Sequence, residues 1–241
     1  MVVVLLLGLS GTSQARTFGF LDVETGMAIS GYNDVRIPGD EGTSFSLQDD
    51  FGLEPTYYFR VRPGVTIADR HTISVLVAPL RFYGEGSLDK ELRFEDTTFA
   101  AGTRLRAFYR FDSYRLTYRY AIYKSDRLEV GAGLTGKIRD AEISLWGPEQ
   151  VRSDNTGFVP LINFKVDWWF AEKWGLLFRG DALAAPQGRA EDVLLAFKYR
   201  FTPDAWVRLG YRMLEGGADN DEVYTFALVH YGSLGLHVRF P

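Results

Sequence analysis

The chain has 241 residues, 46% hydrophobic and 15% aromatic, with a formal net charge of -4. That length suits one domain or one barrel. The small charge argues against nucleic acid as a partner, and the absence of Cys excludes a disulfide framework and any thiolate metal or redox site. No stretch of about 20 apolar residues occurs, so no helix of this sequence spans a bilayer. The 13 Tyr, 18 Phe and 25 Gly point instead to an all-β protein with many turns.

The chain opens on the apolar run Val2-Val3-Val4-Leu5-Leu6-Leu7-Gly8-Leu9, followed by small and polar residues up to Ser13-Gln14-Ala15. This reads as the hydrophobic region and cleavage site of a secretory signal peptide over residues 1–15. No Lys or Arg precedes the run, a departure that a shortened start would explain. Residues 16–241 are then a single barrel domain.

Ten alternating segments follow, at 17–33, 54–68, 71–86, 104–123, 127–146, 158–171, 174–186, 191–202, 205–215 and 222–240. Each meets the roughly 9–11 residues that a tilted membrane strand needs. Their connections alternate in size. Short ones fall at 68–70, 124–126, 171–173 and 202–204, and longer ones at 34–53, 87–103, 147–157, 187–190 and 216–221. Outer-membrane barrels pair short periplasmic turns with longer outside loops, and an even strand count puts both termini on the short-turn side. Within the second long loop, Leu92-Arg93-Phe94 and Thr97-Thr98-Phe99 read as a hairpin extending the third and fourth strands outward.

Successive side chains of a strand point to opposite faces. In the last segment Leu234, Leu236, Val238 and Phe240 share one face, and Ser233, Gly235, His237 and Arg239 share the other. The same parity puts Tyr57, Phe59, Leu116, Tyr118, Phe164, Trp168, Leu195, Phe197, Leu209 and Tyr211 on an apolar face. The opposite face carries Arg60, Arg62, Arg115, Arg119, Lys137, Arg139, Lys165, Arg179, Lys198, Arg200, Arg208, Arg212 and Arg239, against Asp22, Glu24, Glu129, Asp167 and Asp181. A charge facing hydrocarbon costs about 2–4 kcal/mol at mid-membrane, so the charged face must look into the lumen and the apolar face onto lipid. Acidic residues concentrate in the long loops, giving a basic interior under an acidic outer rim. Two outcomes follow from the basic surplus. In a narrow lumen the cations pair with the carboxylates and close it, or they leave a narrow anion-favouring channel.

Catalytic patterns are sparse. His71 falls at a short turn, and His230 has outward parity. His237 faces inward and, on closure of the barrel, comes near Asp22 or Glu24, forming half of a hydrolytic dyad. Ser233 lies about 13 Å from it along the strand, too far for contact. The loop Asp219-Asn220-Asp221-Glu222 is rich in oxygen donors suited to a hard cation but lacks the spacing of a known calcium loop. No catalytic residue, metal or cofactor is therefore assigned.

The segments Ser113-Tyr114-Arg115-Leu116-Thr117-Tyr118-Arg119-Tyr120, Ala184-Ala185-Pro186-Gln187-Gly188-Arg189-Ala190 and Leu214-Glu215-Gly216-Gly217-Ala218-Asp219-Asn220-Asp221-Glu222 are similar to stretches of small Gram-negative outer-membrane β-barrels of an uncharacterised family. The resemblance implies an up-and-down antiparallel transmembrane β-barrel in the cell outer membrane. It carries no functional residues across. The omptin proteases, also ten-stranded, place paired Asp residues and an Asp–His couple at the outer rim, and no long loop here holds a His. The expected function is a non-enzymatic envelope barrel, structural or a channel. A surface hydrolase or lipid-modifying enzyme and a cation- or partner-binding module are the alternatives. The expected partners are the lipid bilayer, lipopolysaccharide, the barrel assembly machinery and small anions.

Overall fold

Period-two alternation carries the chain into antiparallel strands, as seen in a computed structural model that describes residues 16–185 and 188–241. The signal-like segment 1–15 and Gln187 of the expected fourth loop lie outside the described residues. The barrel strands are β1 Phe18–Arg36, β2 Thr56–Ile67, β3 His71–Ala78 resumed as Arg81–Gly86, β4 Leu105–Lys124, β5 Leu128–Trp146, β6 Gln150–Trp168, β7 Trp174–Ala185, β8 Gly188–Thr202, β9 Ala205–Asp219 and β10 Tyr224–Phe240. Each pairs with its neighbour in sequence, and β10 closes onto β1 from Gly19↔Phe240 to Arg36↔Tyr224. The result is a closed ten-strand antiparallel barrel, which leaves no sheet edge at the seam.

The outer circumference is apolar. Tyr57, Phe59, Leu116, Leu134, Phe158, Phe197 and Leu209 are all more than half exposed. Tyr123, Trp168, Phe170, Trp174, Phe201 and Phe240 stand on this face near the short-turn end, where an interfacial aromatic girdle belongs. His230 also lies on it, with its Nδ1 2.5 Å from the Tyr211 hydroxyl. A bulge between Ser30 and Tyr32 keeps both sides of the β1–β10 seam in phase there. At the short-turn end, the backbone N–H of Arg16 donates to Asp69 at 2.8 Å and ties the start of β1 to the first turn. The break in β3 falls at Pro79, which has no N–H for the ladder. Asp112 of β4 fills the gap, accepting from the Leu80 N–H at 3.1 Å and from Arg81 at 2.9 Å.

Three expected loops turn out to be mostly strand. β6 starts at Gln150, β8 at Gly188, and β9 runs to Asp219, so strand takes up most of 147–157, 188–190 and most of 216–221. Above the hydrocarbon both faces of a strand are wet. No hydropathy alternation then marks it, and Gly and Asp there read as loop. The first two loops are long and fold into the barrel mouth. Phe45–Ser46 adds a short strand inside β1, and the Glu85 N–H donates to the Phe51 carbonyl at 2.7 Å. Ile37, Phe45, Leu47, Phe51 and Leu53 pack on the inward residues Ala28, Tyr58, Tyr109, Ile143 and Tyr231. The hairpin Leu92–Phe94/Thr97–Phe99 is a separate two-stranded sheet rather than an extension of β3 and β4. Its Leu92, Phe94 and Phe99 cover the same apolar plug.

Candidate functional site

The middle of the lumen is a lattice of ions. Strand alternation turns Asp22 and Glu24 inward from β1, Arg60 from β2, Arg115 from β4, Arg179 and Asp181 from β7, Asp192 from β8, and Arg208 and Arg212 from β9. Asp22 accepts from Arg208 at 2.6 Å and from Arg179 at 2.9 Å. Glu24 accepts from Arg212 at 2.7 Å and from Arg208 at 3.0 Å. Asp192 pairs with Arg115 at 2.6 Å, with Arg60 at 2.7 Å and with Arg212. Asp181 takes Arg115 at 2.7 Å, the Thr135 hydroxyl at 2.6 Å and the Asn163 amide at 2.7 Å. Desolvated charges persist only when paired and hydrogen-bonded, and here each carboxylate holds at least two donors.

The sequence reading missed Asp192, a carboxylate of the lattice that pairs with three arginines. The signal was present, since Asp192 shares the parity of Lys198 and Arg200. It stands second in the segment 191–202, directly after Glu191, where adjacent acids on opposite faces hide the alternation.

Below the lattice, toward the short turns, Arg62, Arg119, Lys165, Arg239, Glu129, Asp167 and His237 line a small cavity of about 50 Å³. Lys165 bonds Glu129 at 2.8 Å, and Lys198 pairs with Asp167. Lys198 and Arg200 lie over the Trp169 ring, 3.6 and 3.8 Å from its centre. His237 stands opposite Asp22 in the β1–β10 register, and its Nδ1 is 3.1 Å from the carboxylate. Glu24 is not its partner, being held by Arg208 and Arg212. The imidazole is stacked between Phe20 and Trp206, with ring centres 5.1 and 4.2 Å away. Among the described residues Asp22 alone hydrogen-bonds it, and Ser233 lies opposite Gly26, four residues up the strand.

Above the lattice is a larger cavity of about 420 Å³. It reaches from Asn220 and Glu222 at the rim down to Lys137 and Arg139. Its walls are mostly apolar, including Phe111, Ile143, Val159, Leu183 and Leu214. Beside it the barrel wall is notched. Among the described residues β6 pairs with β7 from Ile162↔Ala182 to Trp168↔Leu176, while β6 runs on to Gln150 paired with β5. The ladder stops just short of Pro160, which has no N–H to offer β7.

The loop considered for a cation is a turn. The Asn220 side-chain oxygen accepts the N–H groups of Glu222 at 3.0 Å and Val223 at 2.9 Å, as in an Asx turn. Among the described residues, no group of three or more His, Cys, Asp or Glu side chains is arranged to hold a metal ion.

No protein-family model matches the chain, and no curated protein matches it by sequence. Its fold has solved counterparts. The outer-membrane protease OmpT from Escherichia coli superposes with a TM-score of 0.60 at 10% identity, over 92% of this chain and 97% of that one. Ail, the attachment invasion locus protein of Yersinia pestis, does so at 0.43 and 13%, over 92% and 99%. An outer-membrane channel from Pseudomonas putida F1 does so at 0.45 and 9%, over 95% and 98%. With lipid-facing aromatics outside and paired ions inside, the chain has the fold and the outer-membrane location of the small Gram-negative β-barrels.

Proposed function

We propose that this protein is a non-enzymatic outer-membrane barrel with a non-conducting lumen, serving as a rigid envelope scaffold with one outward-facing binding cavity. The observation that carries this reading is the lattice. Arg60, Arg115, Arg208, Arg212, Glu24, Asp181 and Asp192 border neither the upper nor the lower cavity and are all nearly fully buried. They fill the section between the two cavities. An anion channel needs cations that face a continuous aqueous path, whereas these cations face carboxylates. A hydrolase at His237 needs a nucleophile within hydrogen-bond reach, and its imidazole contacts a carboxylate already shared with two arginines. On this reading the surrounding partners are the bilayer, lipopolysaccharide at the outer leaflet and the barrel assembly machinery that inserts the chain.

Planar-bilayer recording of the purified barrel tests it. A membrane with inserted protein and no steady conductance is the expected result. Steady anion-selective current would establish the channel instead.

A further inference from the structure

We infer that the outward cavity is a binding site for an anionic amphiphile, a single apolar chain ending in a carboxylate or a phosphate, which enters sideways from the outer leaflet through the notch between β6 and β7. The inference rests on the closed-lumen reading, since only a closed floor makes the cavity a pocket.

Three independent observations converge. The first is size and lining: about 420 Å³ with largely apolar walls is the scale of a small-molecule pocket. The second is Lys137. It is 3% exposed, forms part of the cavity lining, and has its Nζ 4.6 Å from the Phe111 ring centre. Among the described residues no carboxylate pairs with it, although every lattice carboxylate below it is multiply bonded. A buried ammonium without a counter-ion is a costly arrangement unless a ligand supplies the anion. Arg139, also lining the cavity, is engaged by the amide oxygen of Asn155 and, among the described residues, by no carboxylate. Of the acids that line the cavity, Glu215 is held by Arg189 at 2.6 Å and the Tyr32 hydroxyl at 2.5 Å, Glu142 by Arg110 at 3.1 Å and Asp154 by Arg152 at 3.1 Å, and Glu222 stands at the outer rim. The third is the notch. Phe158 and Pro160 on one side and Leu183 and Ala190 on the other line the cavity, and among the described residues no strand pairing seals them apart there. A chain can therefore pass from lipid to the pocket without crossing water, its head finding Lys137 at the floor.

The test is binding to the full barrel in nanodiscs, using oleate, a lysophosphatidate and neutral monoolein, with empty nanodiscs as the blank. Saturable binding of oleate, of lysophosphatidate or of both, at one per barrel, supports the site and identifies the head group. Lys137→Gln is expected to weaken the anionic ligand at least about tenfold and to leave monoolein unchanged. Leu183→Trp, which fills the mouth and keeps the ammonium, is expected to abolish binding, and it serves where the first variant does not fold. Binding no greater than to empty nanodiscs, equal affinity for monoolein, or wild-type affinity in the folded variants would overturn the site. None of these outcomes alters the bilayer recording, so a failure here is separable from a conducting lumen.

Discussion

On the β1–β4 side of the barrel mouth, loops 37–55 and 87–104 turn inward and fill the lumen with Phe45, Leu47, Phe51, Phe94 and Phe99. On the β5–β10 side, the strands are tall, the connections 147–149 and 220–223 are short, and the lumen beneath is open. The difference lies in the loop sequences. The filled side has apolar residues at intervals along its connections. The open side has Gly, Asp and Asn, which can turn but cannot pack. Beneath both sides the same ionic lattice runs across the barrel. Filling of the mouth and closure of the lumen are thus separate properties, set by different residues.

Four experiments sharpen or break that separation. The largest effect is expected from Asp192→Ala, which leaves Arg60 without its carboxylate and takes one of two from Arg115 and from Arg212. Breaking a buried ion cluster from one side costs about 3–5 kcal/mol, measurable by urea unfolding in vesicles. A loss under about 1 kcal/mol would remove the lattice as the source of rigidity. Leu47→Ala, in the plug and fully buried, is expected to cost about 3 kcal/mol with no conductance appearing. Current through this variant would mean that the plug, and not the lattice, closes the lumen. Pro160→Ala returns an N–H to β6 and is expected to change stability by less than about 1 kcal/mol. It should slow amide exchange around Leu183 as the notch narrows, and unchanged exchange would detach Pro160 from the notch. The smallest effect is expected at Asp69. Partial burial opposes its ionisation, but the Arg16 N–H and the Lys124 ammonium outweigh this and hold its carboxyl below the usual range. Its contribution is therefore present at neutral pH and lost as the pH falls through that lowered value. Asp69→Asn should cost less than about 1 kcal/mol at pH 7 and nothing in strong acid, read from paired thermal melts.

The wall of the barrel was legible because lipid imposes a strict two-state choice on each side chain. Leu234, Leu236, Val238 and Phe240 could face only one way, and the thirteen cations followed by parity. In the structure Arg60, Arg62, Arg115, Lys137, Lys198, Arg208 and Arg212 are buried, as are Asp22, Glu24, Asp167 and Asp181. Strand lengths above the membrane were not legible, because Gln150 to Gly157 alternate between water and water. The plug was hidden too: Leu47, Phe51 and Leu53 lie in a stretch read as an exposed loop, and only the fold supplies a cavity to receive them. The notch needed pairing information that no single strand carries, although Pro160 was its visible mark.

The lattice also has a consequence for how the chain is made. Arg208 and Arg212 reach their partners Asp22 and Glu24 across sequence separations of 184–188 residues. Until the penultimate strand arrives, the first strand holds acids with few counter-ions, inside what must become a dry interior. A chain cut short before β9 would lose both guanidinium groups at once, leaving Glu24 without its two nearest cations and Asp22 with Arg179.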